Sequence, residues 1–420
     1  MRGIAASWVL IGDGETPPIP DGALVVDAQG TILAVGEGAA LRARFPEARW
    51  DAPCDAVLMP GLVNAHTHLE LSALRGRVPG GAGFVPWVKQ MLALRKELGA
   101  DADEEAMGAA VSELLRAGTA AVGDVSNSLA SVAALRGLPI VARVFAEVFG
   151  TRRPDADTML AAAGERMAAL GALPANVSVT LAPHTPFSLH PAVFEALCVG
   201  ARESGELTSV HLAEHAAERA FLVDGSGPFF DFVTSRGATP LDWAAPGLDP
   251  VRYARSRGGL GSHTLVVHLT DARPDELALV AECGAPVVLC PRSNLHIELR
   301  LPPLEAILAA GIRPALGTDS LASAPSLDVL GEARALRARF PRVAPRALVA
   351  MATGWGARAL RVDRLVGQLA PGLLPGVLAF AHPKGAIPDD PEAFVLSERA
   401  SAREVLVAPG RALRAAEASS

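Results

Sequence analysis

The sequence predicts an α/β fold, a (β/α)8 TIM barrel joined to a small β-sandwich built from both termini. Three observations carry that expectation. Across the middle of the 420-residue chain, eight apolar strand-like runs alternate with helical patterns, which is the count of a (β/α)8 barrel. Short β-like runs punctuated by Gly, Pro and Asp occupy both ends. No GxGxxG follows the first central strand, which disfavours an open dinucleotide-binding sheet.

The elements follow in chain order. ASWVLIG, GALVVDA and TILAVGEG read as hairpin strands within residues 1–58, and RLVGQLAPGLLPGVLAF, AFVLSE and REVLVAP supply matching β segments within 363–420. Residues 59–362 form the expected barrel. Its strands are VLMPGLVNAH, read as one strand through LMPGLVN, then TAAVGDVS, PIVARVFAEV, VSVTLAPHT, LTSVHLAE, HTLVVHLT, APVVLCPRS and IRPALGTDS. Helical periodicity separates most of them, as in EEAMGAAVSELLRAG, DTMLAAAGERMAALG and HPAVFEALCVGARESG. Residues near 224–262 are rich in Gly, Pro, Arg and aromatics and too long for a plain loop, so they are expected to form a lid or site-shaping insertion.

Composition narrows the partners. Half of the residues are hydrophobic, 20% are charged and the formal net charge is −7. No basic cluster stands out, which argues against nucleic acid. The four cysteines form no CxxC pair, and no run approaches the roughly 18 apolar residues of a membrane span. The expectation is a cytoplasmic protein acting on a small molecule, without a membrane or nucleic-acid partner; homo-oligomer formation is left open.

The chemistry is concentrated at strand ends. Residues i and i+2 of a strand share a face, so His66 and His68 in NAHTH project together. His211, His268 and Asp319 close later candidate strands. Five such groups at one end of a barrel form a one-metal site of three or four histidines with a carboxylate. A single strand-end histidine is more often an ordinary core residue; the set of five carries the inference. No lysine lies at a strand end, which excludes a lysine-bridged pair of metals. One divalent ion is expected, Zn²⁺ first and Fe²⁺ as the other choice. Glu214, three residues beyond His211, is placed to move a proton from a water whose pKa the metal lowers, although by spacing alone it is equally a helix-start acid. His268 can orient that water, and Asp319 can accept a hydrogen bond from it while ligating. HExxH, the HxE with PCxxC signature and GxSxG are absent, against the corresponding protease, cytidine-type deaminase and serine hydrolase classes.

In their order and spacing PGLVNAHTH, APHTPFS, HLAE, VVHL, CPRSN and LGTDS resemble the amidohydrolase superfamily, in particular its metal-dependent nucleoside aminohydrolases. The resemblance implies His66, His68, His211 and Asp319 as metal ligands, and Glu214, His268 and Asp319 as the catalytic groups. It implies substrate contacts at His184, Arg143 and Trp87, with Asn294 shaping the loop after the seventh strand. The implied reaction is hydrolytic removal of the amine from a 6-aminopurine nucleoside, with 6-aminodeoxyfutalosine of menaquinone biosynthesis favoured because an arginine such as Arg143 suits its anionic aromatic extension. The alternatives are S-adenosylhomocysteine, methylthioadenosine or adenosine, and hydrolysis of a cyclic amide or chlorinated heterocycle on the same site.

Overall fold

A computed structural model of the chain describes residues 1–98, 100–238, 244–400 and 403–409. Two four-stranded parallel sheets form its centre. One orders its strands Val177–Pro183, Val141–Val148, Thr119–Ser126, Leu62–Thr67; the other orders them Thr208–Leu212, Thr264–His268, Val287–Leu289, Ala315–Leu316. These strands are rich in Val, Ala and Leu and nearly all buried, as parallel strands covered on both faces must be. Helices such as Ala100–Arg116, Arg153–Ala169 and Pro191–Ser204 connect them.

The edges of the two sheets meet through side chains as well as backbone. Thr180 Oγ1 donates to the Leu207 carbonyl at 2.8 Å and Thr208 Oγ1 to the Leu181 carbonyl at 2.9 Å. On the other side Thr67 bridges Asp319 in parallel, and Asn64 Nδ2 donates to Thr318 Oγ1 at 2.8 Å. The backbone N–H of His211 donates to the His184 carbonyl at 3.0 Å. Buried edge groups are thereby satisfied where a regular ladder does not run.

The two termini share an eight-stranded sheet. Its order is Arg403–Val407, Val377–Ala381, Cys54–Pro60, Arg2–Val9, Gly22–Val26, Ile32–Glu37, with Ile19–Pro20 and Arg49–Trp50 also paired to Arg2–Val9. Two expectations are corrected here. LMPGLVN is not one strand: Cys54–Pro60 belongs to the terminal sheet and Leu62–Thr67 to the central one. The break falls at Gly61, where a Cβ would lie 2.4 Å from the Pro375 carbonyl oxygen, so only glycine allows the crossing. AFVLSE is not β either; Pro391–Val395 is helical, with Asp390 capping it through the Ala393 N–H.

The 224–262 insertion contains helices Gly227–Ser235 and Pro250–Ser256; residues 239–243 of it, and 410–420 of the C-terminal segment, lie outside the described residues. Among the described residues no helix is long and apolar enough to cross a membrane.

Candidate active site

The C-terminal ends of the parallel strands bring the predicted residues together. His66 is the penultimate residue of Leu62–Thr67, His211 lies in Thr208–Leu212, His268 ends Thr264–His268, and Asp319 follows Ala315–Leu316. His66 packs edge-on against both His68 and His211, each at a centroid separation of 4.9 Å. His68 and His211 approach to 3.4 Å between their Nε2 atoms. Asp319 Oδ1 stands 3.5 Å from His68 Nε2 and 3.8 Å from His66 Nε2. The backbone is held in unusual conformations here: His268 and Asp319 have φ of +84° and +57°, in the left-handed region that costs a non-glycine residue about 1–3 kcal/mol.

This donor set fits a divalent cation. Both ring nitrogens of His66 are buried and lack a hydrogen-bond partner, an arrangement that a ligand resolves. Burial, followed by the neighbouring histidines, pushes His66 well below its ordinary pKa and keeps it a neutral donor. The supporting groups orient the ligands. His211 Nδ1 donates to the His184 carbonyl at 3.0 Å, leaving Nε2 bare toward the centre. Ser293 Oγ donates to Asp319 Oδ2 at 2.5 Å, leaving Oδ1 for the histidines.

Glu214 stands beside this cluster. Its Oε2 is 3.4 Å from His268 Nε2 and 3.1 Å from His215 Nε2. Asn294 Nδ2 lies 3.2 Å from Glu214 Oε1 and 3.3 Å from His268 Nδ1, and its two protons can serve both. That contact makes His268 Nδ1 an acceptor and places the His268 proton on Nε2, facing Glu214. Burial lowers His268 to about 4, which outweighs the pull of Glu214, so the ring is neutral. Burial alone would raise Glu214, but His215 and His268 hold its carboxyl well below the usual range. His215 moves the opposite way: burial opposes its charge, yet Glu214 and Glu298 carry it up to about 10.

These groups open into a cavity of about 340 Å³, the size class of small-ligand sites. Trp87 and His184 line it. Thr185 Oγ1 donates to Ser188 Oγ, which contacts His184 Nδ1 at 2.7 Å and leaves His184 Nε2 as the donor. Arg143 does not line it. It sits near the N-terminal end of Val141–Val148, bonded to Ser178 Oγ and the carbonyls of Leu360 and Arg361, on the side away from the histidines. The contact expected of Arg143 is corrected accordingly: it faces the opposite end of its strand.

Sequence reasoning missed Glu147, His215 and Ser293. Glu147 Oε1 lies 3.8 Å from His211 Nδ1 and 4.0 Å from His184 Nε2, while its Oε2 accepts from Asn127 Nδ2 at 3.0 Å. Its place at the end of VARVFAEV was the available signal. Glu70, beside the first histidine pair, accepts from Ser126 Oγ, Asn127 N, Ser128 N and Ser128 Oγ, and pairs with Arg95 at 3.2 Å. It fixes the loop that presents Asn127 to Glu147.

Residues 57–405 match the amidohydrolase family. An aminodeoxyfutalosine deaminase from Deinococcus radiodurans is 32% identical over 369 residues, covering 85% of this chain and 84% of that one. A zinc-bound adenosine deaminase structure from Xanthomonas campestris is 27% identical with a TM-score of 0.74, covering 98% and 90% of the two chains. An aminofutalosine deaminase structure from Helicobacter pylori, in complex with methylthio-coformycin, shares the fold at a TM-score of 0.85, 24% identity and 97% and 98% coverage.

Proposed function

The chain belongs to the amidohydrolase family, and from that membership we propose that it is a metal-dependent hydrolytic deaminase of a 6-aminopurine nucleoside, with 6-aminodeoxyfutalosine the favoured substrate. The observation that carries the reading is the Glu214 carboxylate, poised between His268 and the histidine cluster inside a cavity of nucleoside size. The name borne by the Deinococcus relative supports the same substrate.

The two parallel sheets are read as halves of one (β/α)8 barrel, with the terminal strands forming a small sandwich and the boundary set at Gly61. His66, His68, His211 and Asp319 would hold one divalent ion, Zn²⁺ by preference, in keeping with the zinc of the Xanthomonas relative. When bound, that ion brings a water toward a pKa of about 7. Glu214 Oε2 carries one proton of the attacking water to the ring nitrogen beside the amine-bearing carbon, where it stays, and then the second, from the newly added hydroxyl, to the departing amine. Water adds, ammonia leaves, and the 6-oxo purine remains. His268 Nε2–H stabilises the oxygen that becomes the new carbonyl, held in the correct tautomer by Asn294. His184 Nε2–H supplies a donor to the bound nucleoside. Low native pKa values serve these roles: His268 and His184, both lowered to about 4 chiefly by burial, stay neutral donors at physiological pH.

The test is a screen of the zinc-loaded protein against 6-aminopurine nucleosides, read by the ultraviolet change on conversion to the 6-oxo form. Turnover of 6-aminodeoxyfutalosine ahead of adenosine and S-adenosylhomocysteine is expected. Turnover confined to a lactam or a chlorinated ring would overturn the deaminase reading.

A further inference from the structure

The segment entering helix Ala216–Asp224 carries two buried glutamates in opposite states. Glu218 and Glu214 are 1% and 8% exposed, and Glu218 accepts the Glu214 backbone N–H at 3.0 Å. Burial pushes Glu218 up to about 8, so it is largely protonated at neutral pH, whereas Glu214 is held well below the usual carboxylate range. The difference lies in what each one touches. His215 Nε2 stands 3.1 Å from Glu214 Oε2. His268, the other histidine at that oxygen, is neutral, so among the described residues His215 is the one cation in contact with Glu214.

The proposed reaction gives His215 no part, yet its ring is enclosed from several elements. Glu298 Oε1, at the end of helix Pro291–Glu298, stands 2.8 Å from His215 Nδ1. Phe84 packs against the ring at a centroid separation of 4.5 Å, and Phe229 of the 224–262 insertion meets it edge-on at 5.6 Å. Neither ring nitrogen makes a well-aligned hydrogen bond, so charge rather than directed bonding holds the two carboxylates to it. The titratable groups facing the ring are Glu214 and Glu298 and, at longer range, Glu218 and His268. An imidazolium 2% exposed needs an anion beside it at all times. Glu298 supplies one whenever Glu214 picks up a proton and loses its own charge. We propose that His215 and Glu298 are positioning residues for the reaction: the imidazolium, anchored by Glu298, holds Glu214 as an oriented carboxylate able to take the proton of the attacking water. The inference rests on the deaminase reading for what Glu214 does, and not for its charge. It also gives the insertion a task, since Phe229 helps to seal the ion pair from water.

Two measurements on the zinc-loaded full chain test it. The first is an NMR titration of ring-labelled histidines. The His215 ring is expected to keep its charge until the pH nears about 10, and Glu298→Gln to lower that titration by about one to two pH units. The second is the pH dependence of kcat/KM, with bound zinc measured at each pH. In His215→Asn the acid limb should move upward by about 1–3 pH units, because a buried carboxylate without a cation is protonated over a wider range, as Glu218 is. A merely structural role for His215 would lower the rate without moving the limb. A neutral His215 ring at pH 7, an unchanged His215 titration in Glu298→Gln, or an unmoved acid limb in His215→Asn would each overturn the proposal. The titration in Glu298→Gln needs neither turnover nor a folded His215→Asn. Absence of turnover in the wild type therefore counts against the deaminase reading, and the NMR result decides the positioning pair.

Discussion

At the scale of single residues the site depends on a few buried charges whose neighbours set their state. Glu214 is kept ionised by His215 and His268 against the cost of burial, and among the described residues it is the one carboxylate in contact with both. Glu214→Gln should lower turnover on the order of 10²–10⁴-fold with bound zinc unchanged, measured by steady-state kinetics alongside metal analysis. His215 is clasped between Glu214 and Glu298 Oε1, the latter at 2.8 Å. Because its folded pKa is raised from 6.5 to about 10, its contribution to stability is fully present below about pH 6.5 and is lost as pH rises through about 10. His215→Asn should therefore destabilise by about 3 kcal/mol near pH 6 and by less as pH approaches 10, as followed by urea unfolding. The same cost at both ends of that range would remove the ion pair from the account. His66, His68, His211, His268 and Asp319 were legible in the sequence because each occupies a strand end, where a polar side chain interrupts an apolar run. His215 and Ser293 were not, since both belong to helical or loop segments whose approach to Glu214 and Asp319 only the tertiary fold creates.

Among the elements, close strand contacts position the candidate ligands. Gly317 lies against the first parallel strand, where an added Cβ would meet His66 Cβ at 2.7 Å and the His66 N and O at 2.8 Å. Gly317→Ala should cost about 1–3 kcal/mol and weaken zinc binding, because the displaced backbone is that of a proposed ligand. A Cβ added at Gly36 would meet nothing within 4 Å, so Gly36→Ala is the matched control and should leave zinc affinity intact. Equal zinc affinity in both variants would mean that His66 tolerates the shift. Strand and helix periodicity disclosed most of these elements, but not the break at Gly61, since LMPGLVN is apolar on both sides of it. Nor did the run AFVLSE reveal a helix, where the Asp390 cap and Pro391 outweigh β-like composition.

For the whole molecule a metal held by His66, His68, His211 and Asp319 would couple distant parts of the chain, because these four candidate ligands come from strands at opposite ends of the two parallel sheets. Ligand binding to the native state alone adds about 4 kcal/mol at a thousandfold excess over Kd. Chelation should lower Tm, and Tm should then rise with free zinc concentration; a Tm indifferent to chelation would mean that the four residues are held together without the ion. The alternation of eight strands with helices made the central sheets legible. Their seams were not, since they rely on Thr67, Thr180 and Thr208 side chains reaching neighbouring carbonyls, a use of threonine that sequence does not distinguish from ordinary strand propensity. Arg143 shows the same limit in the site: strand register, not residue type, decided which end it faces.

The most direct measurement is ammonia formation from 6-aminodeoxyfutalosine as zinc is returned stepwise to the chelated protein. No ammonia is expected without metal, followed by a linear rise that levels off at one ion per chain. Ammonia formation by the metal-free protein, a plateau at two ions per chain, or no ammonia at any occupancy would contradict it.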